Sequence, residues 1–248
     1  MSIILAVDTS TSINTVALCR GEAGAMDAAV LAEMVVECRR LHAERLMGAV
    51  DWVFAESGHT LSDVDALAVS VGPGSFTGLR IGVSAWKGLA LARGLPLIGV
   101  PTLDAMSRLL PIQDGVVCPL FDARMKEVYG SAYRYVRGER EKIFSDRVGS
   151  VEDLLADVSG PVWFLGDGAA LYKNRILARL PEALFAPAFC SVPRAAAVAA
   201  EALHLLGTGI SADAGRVAPV YIRLSQAEMS RDARARRGGP PLHDGQGT

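Results

Sequence analysis

Apolar and polar positions along this chain switch repeatedly between a strand-like and a helix-like period. Ile3 to Val7 is a continuous apolar run that stops at Asp8, and the polar cluster Thr9-Ser10-Thr11-Ser12 follows. Asn14 to Arg20 then alternates, with Val16 and Leu18 on one face and Thr15, Ala17 and Cys19 on the other. The pattern predicts strand, tight turn, strand, and a third strand is expected near Glu33 to Glu37. A helix is predicted from about His42 to Ser57, with Leu46, Met47, Val50, Val53 and Phe54 on one stripe and Gly58 at its end. Ala66 to Val71 reads as a buried strand that leads through Gly72-Pro73-Gly74-Ser75 into a helix from Phe76 to Arg93. Gly94 and Pro96 close that helix. Leu97 to Val100 is a further strand, and Pro101-Thr102 opens a short helix through Leu109.

The same grammar then restarts. Val116 to Phe121 is an apolar run ending at Asp122, Ala123 to Lys126 form a turn, and Glu127 to Tyr135 alternates as a strand. A helix at Val151 to Val158, a strand at Val162 to Leu165 and a helix from Ala169 to about Leu180 are expected next. Ser191 is read as the N-cap of an alanine-rich helix with Pro193 in its first turn and Gly207 at its end. Two tandem strand–Asp–turn–strand modules, each followed by helix and strand elements, predict a duplicated α/β fold. They divide the chain into residues 1–105 and 106–225, with a cleft between the halves. The helix at 192–206 is free to pack back on the first half. Residues 226–248, rich in Arg, Gly and Pro, are expected to be a disordered basic tail. This layout resembles the actin, sugar-kinase and heat-shock-protein superfamily of ATPases, where two hairpins hold nucleotide phosphates and two aspartates face the cleft.

Composition narrows the options. Half of the 248 residues are hydrophobic and the formal net charge is -2, so the chain can bury a sizeable core. It lacks the basic surplus of a protein that grips nucleic acid alone. The four cysteines, Cys19, Cys38, Cys118 and Cys190, have no metal-ligand spacing and are expected to be reduced thiols. The N-terminus has no basic region before its apolar run and is not read as a signal peptide. No apolar stretch approaches the ~20 residues of a membrane helix, and a cytoplasmic location is expected.

The chemistry-bearing candidates carry open alternatives. Gly72 to Gly82 is neither a P-loop nor a dinucleotide fingerprint, although a strand-to-helix junction there could offer N–H groups to an anion. Gly78, Gly82 and Ala85 form a smooth stripe on the second helix, suited to close approach by another helix, internal or from a partner. Trp52 lies opposite the core stripe of the first helix, near Arg45, Gly48 and Ala55. It is either an interface anchor or a ring covered by the chain's own loops. Asp8, Asp122 and Asp167 are candidate cleft acids, yet Ser10 stands where a phosphate-wrapping glycine is expected, which leaves Asp8 readable as a turn-capping carboxylate. The histidines His42, His59, His204 and His243 include no pair four apart, so no metal site is expected. No G-x-S-x-G elbow supports a serine hydrolase. Arg231, Arg234, Arg236 and Arg237 in the tail could touch RNA or stay solvated.

Five motifs in order resemble one family. They are Ile4 to Thr11, Val69 to Gly82, Asp122-Ala123-Arg124 with Glu127-Val128-Tyr129, Gly166-Asp167-Gly168, and Pro219-Val220-Tyr221-Ile222-Arg223; His42 with Glu44-Arg45-Leu46 adds to them. The family is TsaB, also called YeaZ, of tRNA threonylcarbamoyladenosine biosynthesis, and the likeness spans about residues 3 to 225. The resemblance implies a non-catalytic scaffold or activating subunit. Its partners would be a related catalytic subunit (TsaD), a small P-loop ATPase (TsaE) and a second copy of itself. Such a complex transfers threonylcarbamoyl from its adenylate to the adenosine beside the anticodon, and tRNA is touched only through the complex. The resemblance places partner contacts on the first two helices, at His42, Arg45, Trp52, Gly78, Gly82 and Ala85. Any nucleotide contact would fall to Asp8, Thr9, Ser10, Asp122, Gly166, Asp167 and Gly168. No cofactor is expected. The competing readings are a small cleft ATPase or phosphotransferase using Asp8 and Asp122, and a homodimeric binding module with another client.

Overall fold

The computed structural model describes residues 1–25, 27–38, 42–112 and 114–223; the basic tail and its arginines lie outside them. The first half begins with β1 (Ser2–Asp8), β2 (Ile13–Gly21) and β3 (Ala29–Glu37), followed by α1 (His42–Ser57). It continues through β4 (Ala66–Gly72), α2 (Phe76–Arg93), β5 (Leu97–Pro101) and α3 (Thr102–Ser107). The second half has β6 (Gly115–Asp122), β7 (Val128–Val136), β8 (Glu139–Gly149), α4 (Val151–Leu154) and β9 (Val162–Leu165). It ends with α5 (Asp167–Leu171), α6 (Lys173–Arg179), β10 (Leu184–Phe185) and α7 (Ala195–Gly207).

Each half forms a five-stranded sheet, ordered β3-β2-β1-β4-β5 and β10-β9-β6-β7-β8. Counted from its first strand, each sheet has the same topology. The first three strands pair antiparallel, and the fourth and fifth add parallel to the first. This repeat is the duplicated actin-like ATPase fold, and it sets Asp8 and Asp122 at equivalent strand ends.

The hydrophobic pattern explains most elements. Leu5, Val7, Val16 and Leu18 bury one sheet face under Leu46, Val50 and Val53 of α1 and Val83 and Trp86 of α2. The Trp86 indole N–H donates to the Leu5 carbonyl at 3.1 Å, which satisfies its one polar atom. Gly94 caps α2 in the left-handed conformation, as a glycine after a helix does. Several expectations change. Met47 is 48% exposed and leaves the core stripe of α1. The helix expected over Ala169 to Leu180 breaks at Tyr172 into α5 and α6. α7 starts at Ala195 with Arg194 as its N-cap, while Ser191 closes a preceding 3₁₀ turn.

The last helix of each half crosses between the sheets. Leu103 and Met106 of α3 pack on Val117, Phe121 and Tyr133 of the second sheet. Ala195, Val198, Ala202 and Leu203 of α7 pack on Ile4, Ala6, Ala17 and Cys19 of the first. The boundary expected at 105/106 therefore falls inside α3. Where the two helices meet, buried Glu201 on α7 accepts from Arg108 and from Arg140 Nη2 at 2.7 Å. Arg140 also donates to the Asp104 carbonyl at 2.8 Å, and Asp104 Oδ1 accepts from Tyr133 and Lys142. Burial would raise the Glu201 pKa, but the Arg140 and Arg108 guanidinium groups outweigh it and hold the carboxyl below its ordinary value.

That lowered pKa fixes the sign of a pH dependence. The charge on Glu201 stabilises the fold above the ordinary glutamate value of 4.5, and this contribution is lost as pH falls through the lower folded value. Glu201→Ala leaves two guanidinium groups without their carboxylate and should cost about 3 kcal/mol near neutral pH. Urea unfolding should show that gap between wild type and variant, and should show it closing as the solution is acidified past the folded value.

Candidate functional site

The turn after β1 is tied from several directions. Asp8 is fully buried. Its Oδ1 accepts from the Ser10 N–H at 2.8 Å and the Ser10 hydroxyl at 2.7 Å, and its Oδ2 accepts from the Ser70 hydroxyl. Both carboxylate oxygens thus serve the turn and the neighbouring strand β4. The Thr9 hydroxyl donates to the Gly78 carbonyl at 2.7 Å. A Cβ on Gly78 would run into the Thr9 carbonyl, and one on Gly82 would meet the Thr9 hydroxyl. Gly74 is as close, with Ser10 atoms 2.5 to 2.7 Å from where its Cβ would lie.

This corrects the reading of the smooth stripe on α2. Gly78 and Gly82 are filled by Thr9 of their own chain, because only a residue without a side chain lets the turn sit this close to the helix. Ala85 packs half-buried against the first core. The anion reading of the same junction loses donors to the chain itself. The Ser75 N–H donates to the Ser10 carbonyl at 2.6 Å, and the Gly78 N–H donates to the Ser75 hydroxyl at 3.2 Å.

The second half repeats the arrangement with different side chains. The Asp122 N–H donates to Asp167 Oδ1 at 3.0 Å. Gly166 and Gly168 abut the β6 backbone: a Cβ on Gly166 would strike the Leu120 carbonyl, and one on Gly168 would lie 2.8 Å from Phe121 C. Burial pushes the Asp167 carboxyl up, against the backbone N–H groups of Asp122 and Gly168, which draw it down. Asp122 Oδ1 accepts from the Arg124 N–H at 2.9 Å, and its Oδ2 lies 3.2 Å from the Arg124 guanidinium. Here the hairpin tip is exposed and unusual. Arg124, Met125 and Lys126 all have positive φ, between 54° and 65°, a conformation that side chains other than those of Gly, Asn and Asp seldom adopt. Asp122 and Asp167 are brought together, while Asp8 bonds Ser10 of the first hairpin and Ser70 of β4.

The outer face of α1 is bare. Arg45 and Ala55 are exposed and Trp52 is 41% exposed. Nothing lies within 4 Å of where a Cβ on Gly48 would be. Among the described residues the Trp52 ring keeps part of its surface in solvent, which favours the open reading over the covered one. His42 begins the helix. Among the described residues no group of three His, Cys, Asp or Glu side chains could hold a metal ion, and no helix is long and apolar enough to cross a membrane. All four cysteines are free, and burial pushes the Cys19 and Cys118 thiols up to about 12.

Comparison with known proteins agrees with this geometry. Residues 35–230 match the family model described as TsaD: tRNA N6-adenosine threonylcarbamoyltransferase. The tRNA threonylcarbamoyladenosine biosynthesis protein TsaB of Bacillus subtilis is 31% identical over 229 residues, 91% of this chain and 96% of that protein. The TsaB of Escherichia coli is 42% identical over 133 residues, 53% of this chain and 54% of that protein. The structure of YeaZ from Pseudomonas aeruginosa superposes with a TM-score of 0.73 at 31% identity, covering 89% of this chain and 100% of that one. The chain belongs to the TsaB (YeaZ) family.

In this TsaB-family chain the motif Pro219 to Arg223 is an extended segment without periodicity and carries no packing signal in the sequence. It bridges the halves. The Val220 N–H donates to the Val71 carbonyl at 2.7 Å, and a Cβ on Gly72 would sit 2.6 Å from the Val220 carbonyl. The Tyr221 hydroxyl accepts from Arg80 Nε at 2.9 Å, and its ring lies 4.8 Å from that of Phe76. Arg223 donates to the Ala123 carbonyl at 2.7 Å and pairs with Glu127.

Gly78 and Gly82 should respond differently to a methyl group. Gly82→Ala meets a side-chain oxygen, so Thr9→Ala in the same chain should restore most of the lost stability. Gly78→Ala meets backbone and should remain about 2–3 kcal/mol less stable with or without Thr9→Ala. Thermal unfolding of the single and double variants measures both.

Proposed function

We propose that this chain is a non-catalytic scaffold subunit in the biosynthesis of tRNA threonylcarbamoyladenosine. In this reading it supports transfer of threonylcarbamoyl from threonylcarbamoyl-AMP to the adenosine beside the anticodon, in the cytoplasm. It works with a related catalytic subunit of the TsaD kind and a small P-loop ATPase of the TsaE kind. It meets tRNA through that complex and also pairs with its own copy. The observation that carries the non-catalytic part is the state of Asp8. A carboxylate fully out of water, with both oxygens accepting from Ser10 and Ser70, is occupied by the fold and is not poised for metal or water. The names of the TsaB relatives support the pathway.

The partner surface in this proposal is the outer face of α1, with Trp52 as its centre and Arg45 two turns towards the helix start at His42. An exposed tryptophan beside the bare Gly48 and the exposed Ala55 has the character of an anchor awaiting a pocket. A second reading, a small cleft ATPase or phosphotransferase, draws on Asp122, whose side chain keeps 14% exposure beside Arg124, and on Asp167.

Reconstitution separates the readings. Threonylcarbamoyl transfer onto tRNA is measured with the cognate catalytic subunit and ATPase, with and without this chain. The scaffold reading expects modified nucleoside only when the chain is present, and no nucleotide turnover by the chain alone. Turnover by the isolated chain that Asp122→Ala abolishes would establish the second reading. Trp52→Glu should weaken association with the catalytic subunit by at least about tenfold, roughly 1.4 kcal/mol. It should leave thermal stability within about 0.5 kcal/mol of wild type, as exposed substitutions do. Sedimentation of the mixed subunits and calorimetry of the variant check the two halves of that expectation.

A further inference from the structure

The geometry points to a latch: residues 219–223 hold the two strand-end hairpins in one fixed relation, and the halves separate there only when this strap lets go. The strap has anchors on both sides. On the first half, Val220 bonds the Val71 carbonyl, its own carbonyl fills the space beside Gly72, and Tyr221 takes Arg80 and leans on Phe76. The guanidinium of Arg80 lies 3.8 Å over the Phe76 ring. These contacts surround the 72–75 loop, whose Gly74 and Ser75 lie against Ser10 of the first turn. On the second half, Arg223 binds the Ala123 carbonyl and Glu127, the two ends of the tip that holds Arg124, Met125 and Lys126 at positive φ. Such a backbone persists where its surroundings over-determine it. The Arg223 guanidinium supplies part of that determination. Among the described residues the strap belongs to no helix or strand, and the chain entering it is held at Val217, whose carbonyl accepts from Lys87 Nζ at 2.9 Å.

The chain of contact therefore runs from Ser10, through Gly74 and the 72–75 loop, to Val220 and Tyr221, and on through Arg223 to the second hairpin. Loss of either anchor should be felt at the other, because only one residue, Ile222, separates Tyr221 from Arg223. Arg80 stands on the exposed side of α2, so the first anchor lies at the surface.

Hydrogen exchange of the full chain tests the coupling at single amides. The readouts are Glu127 N–H, bonded to the Arg124 carbonyl, and Ser75 N–H, bonded to the Ser10 carbonyl. Ala6 N–H in β1 reports global opening. Tyr221→Ala should speed exchange at Glu127 about tenfold or more although it does not touch the hairpin, and Arg223→Ala should speed Ser75 by a similar factor. Ala6 should stay as slow as in wild type. Acceleration confined to the anchor that was altered, or none at either amide, overturns the latch. If Arg223→Ala also speeds Ala6, the whole fold is failing. Arg223→Lys, which keeps a charge for Glu127, is then read at Ser75 under the same two outcomes.

Discussion

The arrangement of the molecule depends on a buried carboxylate. Glu201 sits where α7 and α3 cross between the two sheets and holds Arg108 and Arg140 together. Each half gives up a helix to cover the other, so neither sheet has a complete core from its own sequence. An apolar contact could bury the same area, but it would not fix the crossing. The guanidinium of Arg140 also reaches the Asp104 carbonyl and the Ser107 hydroxyl, and Tyr135 donates to the Ser107 carbonyl. A network that ties α3, α7, β7 and β8 by directed bonds leaves one register available. Buried ion pairs contribute little net stability because desolvation cancels much of the attraction. Their hydrogen-bond geometry still discriminates against shifted packings, since a shift would strand a charge.

A second constraint repeats in both halves: a helix must begin against the end of the central strand. Side chains are excluded from that contact. Gly78 and Gly82 accept the Thr9 turn, while Gly166 and Gly168 accept the end of β6. In each case the strand-end aspartate organises the turn by accepting from a residue two further on, Ser10 N–H for Asp8 and Arg124 N–H for Asp122. The glycines and aspartates that stand out in the sequence are accounted for by this packing before any ligand is invoked.

The repeat and its strand ends were legible because period-two alternation and terminal aspartates survive in both halves. α2 was legible to the residue at its C-terminus through Gly94. Edge elements were not. β8 runs through Glu139-Arg140-Glu141-Lys142, a charged stretch of the kind that protects a sheet edge and reads as loop. The break at Tyr172 and the true start of α7 at Ala195 depend on what the neighbouring helices pack against, which local propensity does not encode. The glycine stripe of α2 was visible, but its occupant was not. A helix-packing motif and a turn-seating motif look alike in sequence, and only Thr9, nearly seventy positions away, distinguishes them. The strap was legible as a motif and opaque as a part, since both of its anchors are contacts between residues distant in sequence.

The duplication is architectural, and the two halves have diverged in chemistry. Asp8 is sealed, its oxygens divided among Ser10 and Ser70, and the turn that follows is pinned to α2. Its counterpart Asp122 keeps contact with solvent, faces an exposed guanidinium at 3.2 Å, and heads a hairpin whose tip is conformationally loaded. Asp167 beside it is held with a raised pKa by burial. A fold that places two equivalent acids at matching strand ends can lose the symmetric use of both by satisfying one of them internally. Here the first half's acid is part of the core, while the second half's acid keeps an exposed edge beside Arg124.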